Sequence, residues 1–182
     1  ITAFGEILRY GFENQVPLIV CNSWAIYDRT LDPPSGHPQN YASNPRHPFS
    51  LMTGALAAAG IDVVFAAGNC GATCPDGSCG QKDTGPGNSI HGANSHRDAL
   101  CVGAVTTQLD LLGYSSQGPG GLTDQKPDLV APSHFQYSNA TGNCDRGTSA
   151  ACPVTAGVVA SIRSHTKAKK MLTSDLNELL RS

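Results

Sequence analysis

Three short apolar runs, Pro17–Cys21, Ile61–Ala66 and Ala99–Val105, most constrain what this chain can fold into. None alternates strictly between apolar and polar residues, so each reads as a strand covered on both faces rather than one lying on a solvated sheet. Helical patterns stand beside them. Phe4, Ile7, Leu8 and Phe12 recur at close to helical spacing within residues 2–14, and an alanine-rich segment spans 49–60, where Gly60 serves as C-cap. Strands separated by helical segments predict a parallel sheet built from β-α-β units, an α/β fold flanked by helices. A shorter strand is expected at Asp128–Val130, a helix over about 148–165, and a last helix from about 175 with Asp175 and Glu178 at its start. The Pro-rich residues 26–48 read as a long surface loop, and Lys167, Lys169 and Lys170 as a solvated connection.

A chain of 182 residues supports one core. Twelve basic and 14 acidic side chains, with no long run of either sign, leave no footprint for nucleic acid or an anionic membrane surface. The apolar runs fall well short of the ~20 residues that span a bilayer, so no membrane partner is expected. Seven cysteines include the cluster Cys70, Cys74 and Cys79; Cys21, Cys101 and Cys152 lie in apolar segments and Cys144 in a loop. A Cys74–Cys79 disulfide and a metal clip are both open for the cluster. The compartment stays open as well.

Chemistry concentrates in Gly147-Thr148-Ser149-Ala150-Ala151-Cys152-Pro153, which runs into the small apolar stretch Val154–Ala160. This places a serine hydroxyl at a helix start, where unsatisfied N–H groups and a partial positive charge would meet a developing oxyanion. An ordinary helix cap is the plainer reading of such a serine. The run Ile61–Ala66 continues into Ala67-Gly68-Asn69, so Asn69 emerges at the carboxyl end of a strand, the edge where ligands gather in open α/β sheets. Its plainer reading is a turn asparagine.

Taken together, these segments resemble the subtilases, the subtilisin-like serine proteases. The resemblance implies that Ser149 is the nucleophile and that the Asn69 side-chain amide and the Ser149 N–H hold the oxyanion. Val20-Cys21-Asn22-Ser23-Trp24-Ala25 is similar to the family's strand ending in Asn-Ser-Trp-Gly, which pairs with substrate backbone and lines the primary specificity pocket. By this likeness Ser23, Trp24, Ala25, Ala67 and Gly68 are substrate-binding residues, and Ala25, standing for the usual glycine, narrows the pocket. Asp76 falls in the pocket region. Val102–Val105, Tyr114–Pro119 and Lys126–Pro132 match further family segments in order, so the likeness covers about residues 16–165. It implies a subtilisin-like fold and a peptide or protein substrate; no cofactor is expected, and the sequence shows no acidic cluster for the calcium sites common in secreted family members.

A serine hydroxyl needs a general base, usually an imidazole oriented by a carboxylate. In subtilases the Asp and His motifs precede the Asn-Ser-Trp segment, and this chain begins one helix ahead of it. Of the six histidines, His91 in His91-Gly92-Ala93 superficially resembles the family's His-Gly-Thr, but it follows Asn69 rather than preceding it. His37, His47, His96, His134 and His165 lie in loops or at a helix end. Residues 1–182 are therefore expected to form the C-terminal portion of a subtilisin-like peptidase domain, lacking its N-terminal part, with both ends cut. The missing N-terminal half is the expected partner, and the segment alone is expected to be inactive. The competing reading is a catalytically inactive, subtilase-like peptide-binding or regulatory protein; a weaker one is a metal-bound module organised by Cys70, Cys74 and Cys79.

Overall fold

The computed structural model describes residues 1–136, 144–165 and 168–182; Lys167 of the expected lysine connection lies outside them. Helix α1 (Thr2–Asn14) leads into strand β1 (Ile19–Asn22), and helix α2 (Pro48–Ala58) into strand β2 (Asp62–Ala66). Strands β3 (Leu100–Val105) and β4 (Leu129–Pro132) follow, then the two-residue strands β5 (Phe135–Gln136) and β6 (Cys144–Asp145), helix α3 (Thr148–Ser164) and helix α4 (Thr173–Arg181). Strands β1 to β4 form one parallel sheet in sequence order, the α/β architecture expected from the apolar runs.

Alternation along β2 divides the core into two layers. Val64 and Ala66 point to one face, where they pack with Leu100, Val102 and Ala104 of the sheet against Ala151, Cys152, Ala156 and Val159 of α3. Val63 and Phe65 point to the other and meet Phe4 of α1 and Leu56 of α2. This is why β3, and β2 beyond Asp62, read as unbroken apolar runs: every residue of both is buried. Strand β1 differs, with an outer edge unpaired in the described sheet and Cys21 exposed. A groove of about 510 Å³ between α1 and β1, lined by Ile7, Tyr10, Leu18 and Val20 among others, follows that edge.

The last helix starts earlier than expected. It begins at Thr173 after Leu172, so Asp175 sits inside the first turn, where its charge complements the helix dipole without capping it. The Pro-rich loop contains one 3-10 turn, Arg29–Leu31, capped by the Asp28 carboxylate.

Buried charge ties the layers together. The Arg163 guanidinium of α3 grips Asp62 of β2 with two hydrogen bonds of 2.7 Å and also donates to the carbonyls of Ala168 and Met171. Asp128 receives Lys126 at 2.6 Å, Arg181 of α4 at 2.7 Å and the Cys101 N–H at 2.6 Å. Both carboxylates are bound on their two oxygens, as burial requires. No helix of the described residues is long and apolar enough to cross a membrane.

Candidate active site

Parallel register brings the carboxyl ends of β1 and β2 to one edge of the sheet, with Asn22 opposite Phe65. The chain leaving β1 carries Ser23, Trp24 and Ala25, and the chain leaving β2 carries Ala67, Gly68 and Asn69. Asn94 joins these two exits, its amide donating to the carbonyl oxygens of Trp24 (2.7 Å) and Ala66 (2.8 Å). The first turn of α3 meets them from the far side.

That meeting is built around Gly147, which precedes α3 at φ 85°, a left-handed conformation that favours glycine. A Cβ there would stand 3.0 Å from Asn69 Nδ2, so the asparagine amide lies flat against the glycine. Glycine has no side chain to cap the helix. Asn69 supplies one from outside: its Oδ1 accepts the Thr148 N–H at 2.9 Å and the Thr148 hydroxyl at 3.1 Å. Thr148 Oγ1 in turn accepts the Gly68 N–H at 3.1 Å. Because Oδ1 is committed to acceptor duty, the amide Nδ2 is the face left to donate. Gly147 is also held by Tyr114, whose hydroxyl accepts its N–H, and by Ser133, whose hydroxyl donates to its carbonyl.

Ser149 follows within the first turn, where backbone N–H groups have no intrahelical acceptor. Its hydroxyl donates to the Ser23 carbonyl at 3.1 Å, and the Ser23 hydroxyl donates back to the Ser149 carbonyl at 3.0 Å. The return bond depends on Pro153. Four residues beyond Ser149 and without an N–H, Pro153 leaves the Ser149 carbonyl outside the helical ladder.

The structure thus brings Ser149, Asn69, Ser23, Ala25, Ala67 and Gly68 to one edge. Trp24 contributes differently: its indole packs on Phe49 and Phe65 with ring centroids 5.3 Å away in each case, while the residue stays exposed. Its main chain stays at the edge.

The histidines are engaged elsewhere. His91 is buried, with Nε2 3.1 Å from the Asn88 carbonyl and 3.7 Å from Asp83. Burial, and secondarily the Arg29 charge, push its pKa below the usual imidazole value against the pull of Asp83. His37, His47 and His96 each accept a nearby backbone N–H, His134 bonds to the Tyr114 hydroxyl, and His165 stands at the far end of α3, its backbone N–H on the Ile162 carbonyl. Among the described residues Ser149 has the Ser23 carbonyl as hydroxyl partner, and no imidazole.

The cysteine loop overturns one expectation. Cys79 is bonded to Cys70, not Cys74, and Cys74 is a free, exposed thiol. Two of the three thiols that a metal clip would use are consumed, and no cluster of three metal-binding side chains exists among the described residues. The disulfide closes the loop directly after Asn69. Within it Asp76 takes Ser78 as a local cap, through hydroxyl and N–H, and its own N–H donates to the Asn69 carbonyl at 2.8 Å.

Four residues of the site, Thr148, Tyr114, Ser133 and Asn94, carry no functional signal in the sequence. Thr148 stands beside the more conspicuous Ser149, Asn94 lies in a loop with no motif, and Tyr114 opens a family-like segment that implies no role for it.

The fold resembles the crystal structure of a cold adapted subtilisin-like serine proteinase, with a TM-score of 0.52 and 23% identity over 72% of this chain. The match spans 41% of that protein's chain. No curated protein is significantly similar in sequence. The family model of the subtilases matches residues 5–181, nearly the whole chain. With that match, and with a parallel α/β sheet that carries Ser149 and Asn69 to one edge, the chain belongs to the subtilase family of serine peptidases.

Proposed function

We propose that this chain is the C-terminal portion of a serine endopeptidase catalytic domain, and that Ser149 attacks the peptide carbonyl. The observation that carries the reading is the shared edge: the Ser149 hydroxyl on the first turn of α3, and an Asn69 amide whose Oδ1 is tied down by Thr148, which leaves Nδ2 as its donor. As the tetrahedral intermediate forms, the Asn69 Nδ2–H and the Ser149 N–H donate to the oxyanion, and the leaving amine departs protonated to give an acyl-enzyme that water hydrolyses. Residues 23–25 and 67–68 flank the substrate backbone.

Activation of the hydroxyl needs a base from outside this chain. An imidazole approaching Ser149 has to replace the Ser23 carbonyl as acceptor of the hydroxyl proton. The unpaired edge of β1, with its apolar groove beside α1, suits a missing N-terminal half that adds strands there and brings the histidine and aspartate. Quenching turnover of a peptide ester by the full-length protein and mapping the adduct by mass spectrometry tests the assignment. An acyl group on Ser149 is expected; an adduct elsewhere refutes it.

A second reading, a peptide-binding protein without chemistry, draws support from the same Ser149–Ser23 bond and from the partners that His37, His47, His91, His96 and His134 have away from Ser149. It predicts peptide binding with no turnover by the full-length protein.

A further inference from the structure

We infer that the recess for the substrate residue whose carbonyl is attacked is closed by Ala25 and Tyr27, so that the site takes glycine or alanine there and rejects large side chains. This rests on the proposed placement of substrate between residues 23–25 and 67–68, and it assigns a specificity role to Tyr27.

The distance between the two walls decides the matter. A Cβ built on Gly68 would lie 3.4 Å from the Ala25 methyl and 3.5 Å from Cε1 of Tyr27, with the Ser116 hydroxyl at 3.0 Å. Adding one carbon–carbon bond of about 1.5 Å limits the gap between the Ala25 methyl and Gly68 Cα to about 4.9 Å. A flat ring held between two carbon surfaces needs roughly 7 Å, two contacts of about 3.5 Å each. The walls are therefore too close for an aromatic side chain, and the protein's own methyl and phenol ring fill the space.

Tyr27 is held through its main chain. Its carbonyl accepts the Gly80 N–H at 2.8 Å, next to the Cys70–Cys79 disulfide, which fixes the main chain against the loop following Asn69. The phenol is half-buried. Burial first, and the Asp76 carboxylate second, raise its pKa, while the main-chain and side-chain amides of Asn69 oppose the rise. The hydroxyl consequently stays protonated at neutral pH and stands beside the amide proposed to hold the oxyanion. Asp76 is exposed and accepts Ser78 on one carboxylate oxygen, so rejection of lysine rests on the narrow gap rather than on Asp76.

The test uses the full-length protein and a peptide series that varies only the residue before the scissile bond: glycine, alanine, phenylalanine and lysine. Specificity constants are measured for turnover, and dissociation constants of the corresponding amino-terminal product peptides, which end in the varied residue, by calorimetry. Alanine is expected to exceed phenylalanine and lysine at least tenfold in both. Ala25→Gly, which widens the gap and keeps the ring, and Tyr27→Ala should each raise phenylalanine relative to alanine by tenfold or more; Tyr27→Phe should preserve the wild-type order. Wild-type preference for phenylalanine or lysine, or a ratio unmoved in both Ala25→Gly and Tyr27→Ala, overturns this inference and leaves the proposed function standing. Preference visible in binding without turnover upholds the recess and refutes the endopeptidase. Neither binding nor turnover for any peptide overturns both.

Discussion

Ser149 and Ser23 are hydrogen-bonded in both directions, each hydroxyl donating to the other's carbonyl oxygen at 3.1 and 3.0 Å. The pair joins the first turn of α3 to the end of β1, and Pro153 makes the arrangement possible by removing the N–H that would otherwise claim the Ser149 carbonyl. Ser23→Ala removes one bond of the pair at an exposed position. A loss of about 0.5–1.5 kcal/mol is expected from urea unfolding, with little change in secondary structure.

Asn69 has two separable duties, one per side-chain atom. Asn69→Asp retains an oxygen for the Thr148 N–H and hydroxyl but removes the amide donor, whereas Asn69→Ala removes both. For turnover by the full-length protein, both variants should lose about 10²–10³ in kcat. Only Asn69→Ala should also lose about 1 kcal/mol of stability, as expected for a lost helix cap. Equal thermal midpoints for the two variants would show that the Oδ1 contacts do not cap α3.

The Arg163–Asp62 pair crosses from α3 to β2 inside the core. Removing one partner leaves a buried charge, so Arg163→Met alone should cost about 3–5 kcal/mol in denaturant unfolding. Combining it with Asp62→Leu should recover much of that loss.

Thiol reactivity should follow burial. Native-state alkylation near pH 8 followed by mass spectrometry is expected to modify Cys74 and Cys21, which are exposed, and to spare Cys101 and Cys152 until the protein is unfolded. Burial pushes the Cys101 thiol up to about 12, and it raises Cys152 further in the same direction, so both stay protonated across this range. Cys70 and Cys79 become reactive only after reduction.

Acid should weaken the fold through two histidines. His91 and His96 both have pKa values lowered chiefly by burial, so the unfolded chain binds protons near pH 6.5 that the folded chain refuses. Their contribution is intact above that pH and is lost as pH falls below it. Urea midpoints measured from pH 7.5 down to 5 should decline, and His91→Gln should flatten the decline.

Much of this was legible in the sequence, and the unread part has physical reasons. The runs at 61–66 and 99–105 announced central strands because both faces of each strand are covered, and Gly147–Pro153 announced its helix through small residues that pack on the sheet. Asn69 and Ser149 stood out by position relative to those elements. Tyr27 and Asn94 did not, because their roles depend on loops folding back across long sequence separations. The cysteine pairing failed for a related reason: spacing alone leaves Cys70, Cys74 and Cys79 equivalent, and only the turn that follows Asn69 brings Cys70 to Cys79.

The most direct measurement is labelling by a fluorophosphonate probe of this chain alone and of the full-length protein, with the adduct mapped to its residue. The account predicts labelling at Ser149 when the upstream residues are supplied, little without them, and none in Ser149→Ala. Labelling that survives Ser149→Ala, or full-length protein that never reacts, would contradict it.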